Sequence, residues 1–143
     1  MVGDGKDRAA TQEYAEQLQL PQDAVIFAGK LQPPEIKTAL NACSFSVLFS
    51  NYETQSVVIC ESLACGKPVV ATQVGGIPEL IDETNGITVP VQDETALYQA
   101  LNRMLDTYAD YDPQAISRRA YARFSFEQVG QQLDATYRQA LQG

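Results

Sequence analysis

Apolar residues along this chain fall into two patterns. The first is a set of short continuous runs bounded by turn-forming residues: Ala24–Gly29, Phe45–Phe49, Pro68–Thr72 and Gly86–Pro90. Continuous rather than alternating runs of this length predict strands covered on both faces. The second is helical spacing. Residues 6–18 put Ala10, Tyr14 and Leu18 on one side of a polar-faced helix, and Pro34–Ala42 reads as a helix with its proline in the first turn. Val57–Cys65 is a third helix, closed by Gly66 as a left-handed cap. A glycine pair, Gly75-Gly76, breaks the chain before a short segment at Pro78–Ile81. After Asp93, which caps a helix over 94–106, Leu97, Leu101 and Leu105 recur every fourth residue. Helices over Pro113–Arg123 and Phe126–Leu141 follow, the last opened by Ser125. Strand–helix alternation with continuous apolar strands predicts an α/β fold, a parallel sheet with helices on both faces. No repeat, linker or low-complexity segment interrupts it, so the 143 residues read as one domain.

Composition narrows the function classes. Hydrophobic residues are 45% and charged residues 20% of the chain, ordinary for a globular protein. The net charge of −8 argues against nucleic acid or an anionic membrane as the main partner, since both select basic surfaces. No apolar run approaches the roughly 20 residues a bilayer span needs, and the start lacks a signal-peptide core. Cys43, Cys60 and Cys65 each sit in an apolar stretch without a Cys-x-x-Cys pair, which predicts buried free thiols in a reducing, cytoplasmic setting. The chain has no histidine, which removes the commonest general base and the commonest zinc ligand.

The candidate chemistry lies between residues 50 and 72. Ser50–Gln55 is the loop at the carboxyl end of the Phe45–Phe49 strand, the side on which open parallel sheets bind ligands. Ser56 is placed to cap the next helix, whose first N–H groups, at Ser56, Val57 and Val58, have no partner within the helix and carry partial positive charge. Glu61 falls one turn further in, on the face shared by Val57, Val58, Ala64 and Cys65. A carboxylate there accepts paired hydroxyls such as those of a ribose, and Glu53 in the loop accepts hydroxyls at the other end of the same ligand. An anion cradle between two hydroxyl readers suits a nucleotide sugar. The spacing alone leaves open the plainer alternative, in which both carboxylates face water.

From Ser50 to Pro90 the chain resembles the donor-binding half of family-four retaining glycosyltransferases, the group 1 enzymes with the GT-B fold. That family carries a glutamate, seven residues and a second glutamate, here Glu53 and Glu61. A Gly-x-Pro-Val-Val-Ala strand follows at Gly66–Ala71. Then come Gly75-Gly76-Ile77-Pro78-Glu79, Asn85-Gly86 and Val89-Pro90. Upstream, Val2–Gly5 and Phe27–Leu31 keep the family's order. Several cues in sequence at the right spacing are far more specific than any one. The resemblance implies a Rossmann-like three-layer αβα fold, the C-terminal half of a GT-B fold. Glu53 would hold donor-sugar hydroxyls at the reacting carbon as the catalytic-site acid. Glu61 would hold the ribose, and N–H groups at Ser56 and Val57 the diphosphate. Gly29, Lys30 and Leu31 would line the base. The donor would be a UDP-, GDP- or ADP-sugar, with no metal and no further cofactor.

Two departures are visible. Where the family commonly has Phe-Gly, this chain has Gln55 and Ser56, so a polar side chain faces the donor at Gln55. Family members are more than twice as long. On the resemblance, the chain is an excised C-terminal domain, inactive alone. The sugar or lipid-linked acceptor would be bound by an absent N-terminal domain, and the parent would associate peripherally with a membrane. A non-catalytic Rossmann-like nucleotide-binding or regulatory module is the alternative. A GT-B epimerase is a third reading, weakened by the lack of histidine. Gly3 and Gly5 form a tight turn rather than a dinucleotide fingerprint, because Arg8 replaces its third glycine. Glu79 is placed for a helix dipole or a ligand. Tyr108 and Tyr111 read as surface-to-core anchors. The stripe Phe126, Val129, Leu133 and Tyr137 is expected in the core, or exposed as a dimer face.

Overall fold

A computed structural model of the chain describes residues 1–21 and 23–141. Contacts gather the chain into two compact units, Met1–Thr38 and a larger one from Ala39 onward. In the first, helix α1 (Arg8–Gln17) follows the Gly3–Gly5 turn and α2 (Pro33–Ala42) begins near its end. The run at Ala24–Gly29 is not the buried strand expected of it. It is extended chain with one parallel bridge, Val2 to Gly29, flanked by N–H donation from Gly3 to Gly29 (2.8 Å) and from Ala28 to Met1 (2.9 Å). Ile26 and Ala28 are exposed. One bridge with its flanking bonds does not make a ladder.

The larger unit is a three-layer sandwich. Strands β1 (Ser46–Leu48), β2 (Val69–Thr72) and β3 (Gly86–Val89) form a parallel sheet in that order, with Val47 beside Val70 and Val70 beside Ile87. All four residues of β2 are buried, so their side chains feed two cores alternately. Val69 and Ala71 meet Ile59 and Leu63 of α3 (Val57–Ala64) together with Ile116 and Ala120 of α5 (Pro113–Phe124). Val70 points the other way, with Val89, onto Ala100 and Met104 of α4 (Glu94–Thr107). The expected parallel sheet covered on both faces is therefore present.

Caps stop and start these elements where the sequence places them. Asp93 accepts from the Ala96 N–H, Asp112 from those of Gln114 and Ala115, and Ser125 from that of Gln128. Gly66 takes a left-handed φ of +71°, and a Cβ there would lie 2.5 Å from the carbonyl oxygen of Pro113, so glycine also sets the close approach of α3 to α5. Tyr111 packs against both cores. Tyr108 stays partly exposed, its ring 6.5 Å from that of Phe45.

Two expectations are corrected. Helix α6 (Phe126–Ala140) buries none of its residues, so its apolar stripe is not core: Phe126 is 99% exposed and Leu133 52%. The three cysteines are free, as expected, but half-buried rather than buried. Partial burial still raises the thiol pKa of Cys43 and Cys60, because it penalises the thiolate.

Candidate functional site

Because the three strands are parallel and in register, the segments that leave Leu48, Thr72 and Val89 emerge on one edge of the sheet. The loop after β1 carries Glu53. Its shape is fixed from two sides. Thr72, fully buried at the end of β2, donates its hydroxyl to the Ser50 carbonyl (2.7 Å) and accepts from the Ser50 N–H (3.2 Å). Gly76 donates its N–H to the Thr54 carbonyl at 2.7 Å. Gly75, at φ +56°, lies so close that a Cβ on it would fall 1.8 Å from the Glu53 carbonyl oxygen. The glycine pair thus serves as the turn expected of it, and its particular purpose is to pass against the backbone of Glu53 and Thr54. Ser50 also donates its hydroxyl to the Glu53 carboxylate (3.1 Å), which orients that half-buried side chain.

The loop delivers the chain into α3 at Ser56, which occupies the N-cap position with extended backbone and is 3% exposed. The expected side-chain cap is missing: the Ser56 hydroxyl makes no bond to the helix N–H groups. Among the described residues no acceptor takes the N–H groups of Ser56, Val57 or Val58. Val57 and Val58 are 66% and 51% exposed, so the helix end opens to solvent instead of being plugged by protein.

Glu61 sits one turn below that opening. The apolar composition of α3 suggests burial all round, but only Ile59, Ser62 and Leu63 face the core. Glu61 shares the opposite, uncovered face with Val57, Val58 and Ala64, and it is half-buried. Its carboxylate has no hydrogen-bond or ion-pair partner among the described residues. A hydroxyl-accepting carboxylate, a set of free N–H donors and a second carboxylate therefore line up along one loop–helix junction. Chemically such a junction can hold an anion at the helix end and hydroxyls on either side of it. Among the described residues no group of three His, Cys, Asp or Glu side chains is placed to hold a metal ion.

The other expected residues are placed as follows. Gln55 is exposed in the loop beside Ser56. Gly29, Lys30 and Leu31 belong to the first unit. There Gly29 is buried under the Arg8 guanidinium, Leu31 is half-buried and Lys30 is exposed. Arg8, which displaces the third glycine of a dinucleotide fingerprint, is paired with Asp4 at 3.0 Å. Glu79 lies exposed in a 3-10 turn at Ile77–Glu79, and its carbonyl accepts from Arg123 at 2.6 Å. Sequence reasoning passed over Ser50 and Thr72. The available signal was a hydroxyl residue closing an otherwise apolar strand.

Comparison with known proteins identifies the family and the fold. The family model for glycosyl transferases group 1 matches residues 1–107. An N-acetyl-alpha-D-glucosaminyl L-malate synthase of Bacillus anthracis is 29% identical over 140 residues, which cover 96% of this chain and 36% of that protein. A D-inositol 3-phosphate glycosyltransferase of Corynebacterium urealyticum is 33% identical, covering 95% and 32%. Among solved structures, the sucrose-phosphate synthase of Thermosynechococcus elongatus superposes with a TM-score of 0.83 at 30% identity over 98% of this chain and 37% of its own. Anabaena HepE in complex with UDP superposes with a TM-score of 0.79 at 26% identity, over 96% and 40%. The chain thus spans about a third of the length of the curated relatives it matches. With the fold and these matches in agreement, the chain belongs to the group 1 glycosyl transferases and has the GT-B type of α/β fold.

Proposed function

We propose that this chain is the nucleotide-sugar-binding part of a retaining hexosyltransferase. The observation that carries the reading is the open amino end of α3, set between the pinned Glu53 loop and the unpartnered Glu61. On this reading Glu61 accepts the vicinal hydroxyls of the donor ribose. N–H groups at Ser56 and Val57 hold the diphosphate, Gln55 borders the donor sugar, and Glu53 accepts sugar hydroxyls beside the anomeric carbon. The UDP complex of Anabaena HepE supports a nucleoside diphosphate as the ligand class.

The chemistry follows from charge placement. The bond between the anomeric carbon and the diphosphate oxygen breaks, and the negative charge that develops on the leaving diphosphate meets the helix end. The acceptor hydroxyl oxygen bonds to the anomeric carbon on the same face, and its proton passes to the departing diphosphate. No metal is needed for that charge balance. The acceptor is taken by parts of the parent beyond this chain, so the chain alone binds donor without turnover. At high concentration it associates through the exposed stripe of α6.

The test is an amide chemical-shift titration of the chain with UDP- and GDP-sugars. Saturable shifts at residues 56–61, abolished by Glu61→Ala, support the donor site. No shift at millimolar donor favours the non-catalytic module instead.

A further inference from the structure

Three N-caps of this chain turn a side-chain oxygen back onto helix N–H groups: Asp93, Asp112 and Ser125. Ser56 does not, although its backbone (φ −79°, ψ 108°) places it to do so. Its hydroxyl has no hydrogen-bond partner at all among the described residues. A hydroxyl on a residue 3% exposed ordinarily finds a partner in protein. No buried side-chain oxygen or nitrogen of the described residues is both sealed from solvent and unpaired, so the Ser56 oxygen keeps some contact with solvent. Ser56 closes the loop that Thr72 and Gly76 pin at Ser50 and Thr54.

We infer that the Ser56 hydroxyl is itself a donor to the phosphate oxygens of the nucleoside diphosphate, added to the backbone N–H groups of the same helix end. The inference rests on the donor-site reading and deepens it. Three facts support it. The hydroxyl donates to no acceptor among the described residues, so its proton is available, and with no cap bond its oxygen is not held against the helix N–H groups. The N–H groups beside it at Val57 and Val58 are free, so an anion held by them lies next to it. The family commonly has glycine at this place, so the hydroxyl is a feature of this chain and not a requirement of the turn. A charge-assisted O–H donor on an enclosed residue is pre-oriented and loses little freedom on binding.

The experiment is an isothermal titration of the chain and of two variants, Ser56→Ala and Ser56→Gly, with UDP, beside their thermal melts. Both variants keep the backbone donors, and neither loses a capping bond. The expected result is UDP affinity about ten-fold weaker in both, the usual weight of a hydrogen bond to a charged group, with melting temperatures unchanged. UDP binding equal to that of the parent chain in either variant overturns the inference and leaves the donor site standing. Weaker binding together with lowered melting temperatures makes the hydroxyl structural and likewise overturns it. Absence of saturable UDP binding to the unmodified chain overturns both readings together.

Discussion

At Gly75 the position of one missing atom decides the shape of the Glu53 loop. An alanine methyl there would sit 1.8 Å from the Glu53 carbonyl oxygen and 3.1 Å from that of Thr54, on a backbone already at φ +56°. Backbone atoms cannot yield as a flexible side chain does, so the loop must move away. Gly75→Ala is expected to cost about 2–4 kcal/mol by urea denaturation and to abolish nucleotide-induced shifts at residues 56–61. Thr72 gives the complementary case. Its hydroxyl holds both the N–H and the carbonyl of Ser50 from a fully buried position. Thr72→Val keeps the shape and removes both bonds, leaving two backbone groups without partners. A loss of about 1–3 kcal/mol is expected, with faster amide exchange at residues 50–55. A loss below about 0.5 kcal/mol would mean that the loop holds its shape without Thr72.

At the scale of elements, what was legible in the sequence depended on how local its cause was. The helices over residues 94–107, 113–124 and 126–140 could be read from their caps and spacing, because both causes lie within a few residues. The strands β1, β2 and β3 could be read because a continuous apolar run in a short segment has few other homes. Ala24–Gly29 has the same appearance and failed, because pairing depends on a neighbour the run itself cannot specify. The Glu53–Glu61 spacing was visible, but the bond of Thr72 to Ser50 spans 22 residues and leaves no local trace. The connection from β2 to β3 is another such case, clasped from outside by α5. Arg123 reaches the Glu79 carbonyl, and Arg119 pairs with Asp82 at 2.5 Å and also meets Thr84. Hydrogen bonds from Arg119 and then Thr84 hold the Asp82 carboxyl well below the usual carboxylate range. A depressed folded-state pKa contributes stability that is present above the unfolded value of about 3.9 and is lost as pH falls through the folded one. Asp82→Asn is therefore expected to lower stability at pH 7 by about 1 kcal/mol or less, since the pair is partly exposed. The difference from the parent chain should shrink below about pH 4 in urea melts. A gap that persists unchanged at about pH 2 would show that the carboxylate charge is not its source.

At the scale of the whole molecule, the exposed stripe of α6 is expected to set the behaviour of the chain in solution. Phe126, Val129, Leu133 and Tyr137 make one face of the 15-residue α6, Leu141 follows at its end, and all are exposed. The stripe is nearly symmetric about Leu133. An antiparallel meeting of two copies would set Val129 against Tyr137 of the second copy and bring Glu127 toward its Arg138. A helix of that length is about 22 Å long and offers less than a standard interface, so association should be weak, at micromolar Kd or above. The net charge of −8 on each copy opposes it, and salt screens that repulsion while leaving apolar contact intact. Sedimentation equilibrium should therefore show concentration-dependent dimers that strengthen from low to physiological salt. Leu133→Glu, which puts two like charges at the centre of symmetry, should leave a monomer with unchanged melting temperature, since Leu133 contributes to no core. A parent chain that stays monomeric at about 1 mM in physiological salt would mean that the stripe does not pair with itself. The loop–helix junction is built from residues 50–76 and α6 begins at Phe126, so nucleotide binding and self-association should vary independently: Leu133→Glu should leave UDP titrations unchanged, and Glu61→Ala should leave sedimentation unchanged.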